Sequence, residues 1–164
     1  MAERISKLGL AGAVACFFSL VIVNNLTDYS TNFAFVQHIL AMDTIFADST
    51  LKWRSITNPT LQHAFYWAII AMEMGIASLT WIGVVQMGQA IRGTASEFNQ
   101  AKFYTLLGLT ASCLLWFFVF LGVGGEWFVM WQSPIWNGQP IASRMFTITM
   151  LILLFLRQPD LESE

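Results

Sequence analysis

The sequence predicts an all-α integral membrane protein, a bundle of four membrane-crossing helices with an amphipathic helix on the outer face between spans 1 and 2. Three observations predict it. Only 11% of the 164 residues are charged while 56% are hydrophobic, against roughly 25% charged in an ordinary soluble domain. Mean hydropathy is +0.60. Four apolar runs approach or exceed the ~20 helical residues that a bilayer core demands. Eight basic against ten acidic side chains leave no basic footprint for nucleic acid. The chain is read as one membrane domain, residues 1–164.

The first span covers residues 8–26, LGLAGAVACFFSLVIVNNL. Arg4 and Lys7 precede it as in a signal peptide, but the run ends in NNLTD instead of a small-residue cleavage pattern, so it reads as a retained anchor. Asn24 and Asn25 end the span, and the TDYSTN turn that begins near Asp28 redirects the chain.

The segment FAFVQHILAMDTIF, residues 33–46, is the expected amphipathic helix, capped by Thr31 or Asn32. Stepped at about 100° per residue, Phe35, Val36, Ile39, Leu40, Met42 and Phe46 share one arc. Asp43 falls inside that arc. A buried carboxylate is costly unless paired, so Asp43 is expected to meet Arg54 or Lys52. That contact is read first as a staple holding the helix to the bundle, and second as an ion or headgroup site.

The second span covers residues 61–87, with Asn58 as N-cap and Pro59 at the first helical position. The third, residues 102–123, is expected to end at Gly124-Gly125, and the fourth is residues 141–156. Arg4, Lys7, Arg92, Lys102 and Arg157 fall on one side, and Lys52, Arg54 and Arg144 on the other. This bias places both termini in the cytoplasm by the positive-inside rule. The tryptophan-rich segment GGEWFVMWQSPIWNGQP is expected at the outer membrane interface. Small-residue pairs at i, i+4 offer close helix contacts: Gly9 with Ala13, Ala11 with Ala15, Ala71 with Gly75, and Gly108 with Ser112.

Within this oily chain Glu73 stands out, near the middle of the second span. A carboxylate there is expected to face the bundle interior, either as a proton or cation relay or hydrogen-bonded to Thr105, Thr110, Ser112, Thr147 or Thr149. His38 and His63 lie on the same side of the membrane and form a two-histidine pair for metal or haem only if the fold joins them. Cys16 and Cys113 sit in apolar runs, and the methionines lack a convergent spacing. No metal and no cofactor is therefore expected.

The motifs NN-x-TDY, FV-x-H and MDT in NNLTDYSTNFAFVQHILAMDT, followed by WRSI at residues 53–56 and three further spans, resemble a bacterial family of predicted small integral membrane proteins, a domain of unknown function. The resemblance covers nearly the whole chain. It implies a four-span protein of the bacterial inner membrane, and it carries over no catalytic residue or cofactor. Together these readings favour a non-enzymatic accessory or interaction subunit of a larger inner-membrane complex, in contact with lipids and with other subunits or further copies of itself. The alternatives are a small proton- or ion-coupled transporter or channel centred on Glu73, and a redox subunit using His38 and His63.

Overall fold

The computed structural model describes residues 1–161. Its helices are α1 (Ala2–Thr27), α2 (Tyr29–Ala41), α3 (Pro59–Gln89), α4 (Ala95–Ala101), α5 (Phe103–Leu114) and α6 (Gln139–Arg157), and α5 runs directly into a π-helical segment, Leu115–Trp127. Four units are long and apolar enough to cross a membrane: Ala2–Thr27, Pro59–Gln89, Ala95–Trp127 and Gln139–Arg157. The fold is all-helical and membrane-spanning, as the composition predicts.

Each unit runs beyond its apolar run. In hydrocarbon a backbone must satisfy its own hydrogen bonds, so a helix does not stop where its side chains turn polar. At 1.5 Å per residue the 26 residues of α1 rise about 39 Å and the 31 of α3 about 46 Å, both more than the ~30 Å hydrocarbon core. Asn58 starts α3 as expected, its Oδ1 accepting from the backbone N–H groups of Thr60 and Leu61.

The central helix is α3, packed against α1, α2 and α5, while α6 lies mainly on α5 and the π-helical segment. Burial follows a spacing of three and four. On α1 the inward stripe includes Lys7, Ala11, Val14, Phe18 and Asn25; on α3 it includes Gln62, Tyr66, Ile70, Glu73 and Thr80. On α5 and the segment after it, Thr105, Leu109, Ser112 and Trp116 continue the pattern. Such a stripe is one helix face, and here several of its positions are polar.

Close approach rests on fewer small residues than the sequence offers. A Cβ on Gly83 would collide with the backbone and hydroxyl of Thr105, and one on Gly108 would lie 3.2 Å from the Ile76 carbonyl. Ala11 and Ala15 are fully buried. Gly9 and Gly75, by contrast, have no neighbour within 4 Å of a built Cβ, and Ala13 and Ala71 are exposed. The α3–α5 seam therefore depends on Gly108, one of the expected small residues, and on Gly83, which belongs to none of the expected pairs.

Two other expectations are corrected. The Gly124-Gly125 pair does not break the third span: the chain stays helical to Trp127 by widening to π geometry, and the Phe128 N–H closes it on the Val123 carbonyl at 3.0 Å. The helix after the first span starts four residues earlier than its pattern predicts. It begins at Tyr29 behind Asp28, not at Thr31 or Asn32, and ends where Met42 adopts a left-handed conformation with φ 51°. Val129, β-branched and also left-handed at φ 47°, marks a second sharp reversal, where the Trp-rich segment turns back toward α6.

Candidate functional site

Glu73 is 3% exposed, and its Oε2 accepts a hydrogen bond from Asn25 Nδ2 at 2.7 Å. None of the five hydroxyl residues named as its partners takes that place. Asn25 lies in the last turn of α1, and its carbonyl accepts from the Tyr66 hydroxyl at 3.3 Å. The middle of α3 is thus level with the end of α1, because α3 extends further at that end. Glu73 itself stands midway along α3.

Glu73 and Asn25 border a cavity of about 700 Å³, within the range of small-molecule sites. Asn24, Asn32 and Asn137 bring further amides to it. Asn24 and Asn32 are themselves joined, Asn32 Nδ2 donating to the Asn24 carbonyl at 3.3 Å. Phe17 and Leu20 of α1 and Ile141 of α6 line it and are exposed, as are Asn24, Ile135 and Asn137, so the cavity is open both between α1 and α6 and toward the Trp-rich loop. Trp116 lines the cavity too, and its buried indole N–H has no acceptor among the described residues. A second cavity of about 250 Å³ shares Phe35, Val36, Ile69 and Phe120 with the first.

The remaining sequence-predicted residues gather elsewhere. Asp43 lies beyond the end of α2 and is exposed, with His38 Nδ1 at 2.7 Å from its Oδ2. It does not meet Arg54 or Lys52. The helix ends at Met42, so projecting it through Asp43 gives the wrong face. Arg54 donates to the Trp127 carbonyl and stacks over the Trp53 and Trp127 rings at 5.4 and 4.6 Å. Lys52 donates to the Ala47 carbonyl. His38 stacks on Trp136, while His63 stacks on Phe33 and meets the Tyr29 hydroxyl at 2.8 Å. The two histidines are not brought together. Asp28 is exposed and offers its carbonyl to the Asn32 side chain.

Sequence reasoning missed a buried ionic cluster at the end that carries the termini. Lys7 and Lys102, read only as topology markers, are almost fully buried, and both bind the Asp160 carboxylate and the Gln158 carbonyl. Asn99 closes the cluster by bonding the Asp160 backbone at both N–H and C=O. Arg4 reaches the Ile91 and Gly93 carbonyls at 3.2 and 2.7 Å. Burial alone would raise the Asp160 carboxyl, but the hydrogen bonds and charges of Lys102 and Lys7 outweigh it and hold the group below the usual carboxylate range. The signal was available, since Lys7 shares the inward register of Ala11, Val14 and Phe18.

Among the described residues no group of three or more His, Cys, Asp and Glu converges on a point. A family model described as predicted small integral membrane protein (DUF2165) matches residues 3–159. Neither a curated protein nor a solved structure matches the chain.

Proposed function

The chain belongs to the family of predicted small integral membrane proteins, and from that premise we propose that it is a non-enzymatic binding protein whose membrane-facing chamber receives a small guest around Glu73. One observation carries the reading: a nearly buried carboxyl with a single neutral hydrogen-bond donor borders a cavity of about 700 Å³ that opens between two spans. Intramembrane carboxylates are costly to keep and mark functional sites by default. The chamber's polar equipment includes one carboxyl, four asparagine amides and the unsatisfied Trp116 N–H. That chemistry suits recognition by charge and hydrogen bonding. The pairing of Glu73 with Asn25 makes the chamber, not a relay across the whole bilayer, the centre of this reading.

The protein then acts as an accessory component of a larger bacterial inner-membrane assembly, with both termini in the cytoplasm. Arg4, Arg92 and Arg157 at the termini end support that orientation. The exposed aromatic rim of Trp53, Trp127 and Trp131 at the other end supports contact with the interface or with a membrane partner.

An apolar carbodiimide tests the chamber, because it reaches carboxyls from the bilayer. Membranes bearing the full chain are treated, and the adduct is located by peptide mass spectrometry. Modification of Glu73, absent from the Glu73→Gln variant, is expected. If Glu73 stays unmodified while exposed carboxyls react, no guest reaches it and the reading fails.

A further inference from the structure

We propose that the guest is a lipophilic organic cation, an ammonium-like or phosphonium-like centre on an apolar body, held with its charge against Glu73. The proposal rests on the open chamber described above and adds the chemical class of what enters it. Among the described residues that line the cavity Glu73 is the only charged one, and none is Lys, Arg or His. The nearby cations of the loops are engaged elsewhere, Arg54 with the Trp127 carbonyl and ring and Lys52 with the Ala47 carbonyl. An ionised carboxylate in low dielectric with one amide donor lacks most of the stabilisation that water gave it. A cation supplied from outside the chain provides the missing charge.

The walls decide which cation. Six aromatic side chains line the cavity: Phe17, Phe35, Tyr66, Trp116, Phe120 and Trp136. Ring faces attract organic cations through their quadrupoles, most strongly where water is excluded. A bare metal ion wants a shell of several oxygen ligands and would leave a space of about 700 Å³ largely unused. A cation with an apolar body fills that space and touches the rings. Entry from the bilayer, past Phe17, Leu20 and Ile141, suits a molecule that partitions into lipid.

Tetraphenylphosphonium and tetraphenylborate share one shape and carry opposite charges, so together they separate charge recognition from apolar partitioning. Binding of each to the full chain in neutral detergent is measured by equilibrium dialysis, alongside protection of Glu73 from the carbodiimide. The expected result is at least tenfold tighter binding of the cation, protection of Glu73 by the cation alone, and loss of the preference in Glu73→Gln. Glu73→Asp keeps the charge and retains the preference. Phe120→Leu weakens cation binding several-fold. Monodisperse gel filtration of each variant separates lost binding from lost folding. Equal binding of the two ions, no binding of the cation, or a preference that survives Glu73→Gln overturns the proposal. Modification of Glu73 without protection by the cation rejects the cation and leaves the chamber standing; no modification at all rejects both.

Discussion

Asn25 in the last turn of α1 donates its side-chain amide to the Glu73 carboxyl of α3 at 2.7 Å, while its backbone carbonyl accepts from the Tyr66 hydroxyl two helical turns away on the same stripe. Two polar links from one residue thus tie α1 to α3 beside the chamber. Interhelical hydrogen bonds in membranes average about 0.6 kcal/mol and reach about 1.7 kcal/mol. Asn25→Ala removes the donor and leaves the buried carboxyl unsatisfied, so a loss of about 1–2 kcal/mol is expected. Glu73→Gln keeps an acceptor oxygen for Asn25 and is expected to lose less stability than Asn25→Ala. Thermal unfolding in detergent ranks the two; equal losses would show that the contact does not set stability.

The Asp160 cluster predicts a response to acid. The folded-state carboxyl is held below its unfolded value by Lys102 and Lys7 against the opposing effect of burial. Its contribution is therefore complete above the ordinary carboxylate range and is lost as pH falls through the depressed folded value. Asp160→Asn removes the charge while keeping the shape. Breaking a buried pair costs about 3–5 kcal/mol, so the variant is expected to be much less stable at neutral pH and to show a flatter acid limb. Proteolysis of the tail, followed against pH, checks both; an acid limb identical to the parent's would contradict the assignment.

At the α3–α5 seam, Gly83→Ala places a methyl into Thr105. Overpacking of this kind costs about 1–3 kcal/mol. Gly75→Ala meets open space and is expected to be neutral or mildly stabilising through the better helix propensity of alanine. The comparison of melting temperatures isolates packing from propensity, since both changes lie on α3.

Asn58→Ala deletes the acceptor for two backbone N–H groups at the start of α3. A loss of about 1 kcal/mol is expected, with Asn58→Asp restoring most of it. Amide exchange at Thr60 and Leu61 reads the effect locally.

Much of this architecture is legible in the chain because lipid leaves few choices. Long apolar runs must be helical, and Asn58-Pro59 states where α3 begins. Glu73 is conspicuous because a carboxylate interrupts an apolar stretch. Its partner is not, since Asn25 looks like part of a polar helix end; only the three-and-four register of α1 reveals that it faces inward. Asp43 misleads for a related reason. A helical wheel carries no information about where the helix stops, and Met42 turns left-handed without the glycine that commonly announces such a reversal. Gly124-Gly125 misleads in the opposite direction, because a π-helix accommodates the pair. Lys7 and Lys102 show the limit of treating every basic residue in an oily chain as a marker of the cytoplasm. Their burial depends on a carboxylate far along the sequence, which no local pattern displays.

The long separation of that carboxylate from its partners has a consequence for biogenesis. Lys7 emerges from the ribosome with Glu3 one turn away, at 2.7 Å in the finished fold, and so carries a provisional counter-charge from the outset. Lys102 has Asn99 beside it but receives an acid only when residue 160 has been added, 58 positions later. Until the tail carrying Asp160 docks, the Lys102 ammonium has no acidic partner among the described residues.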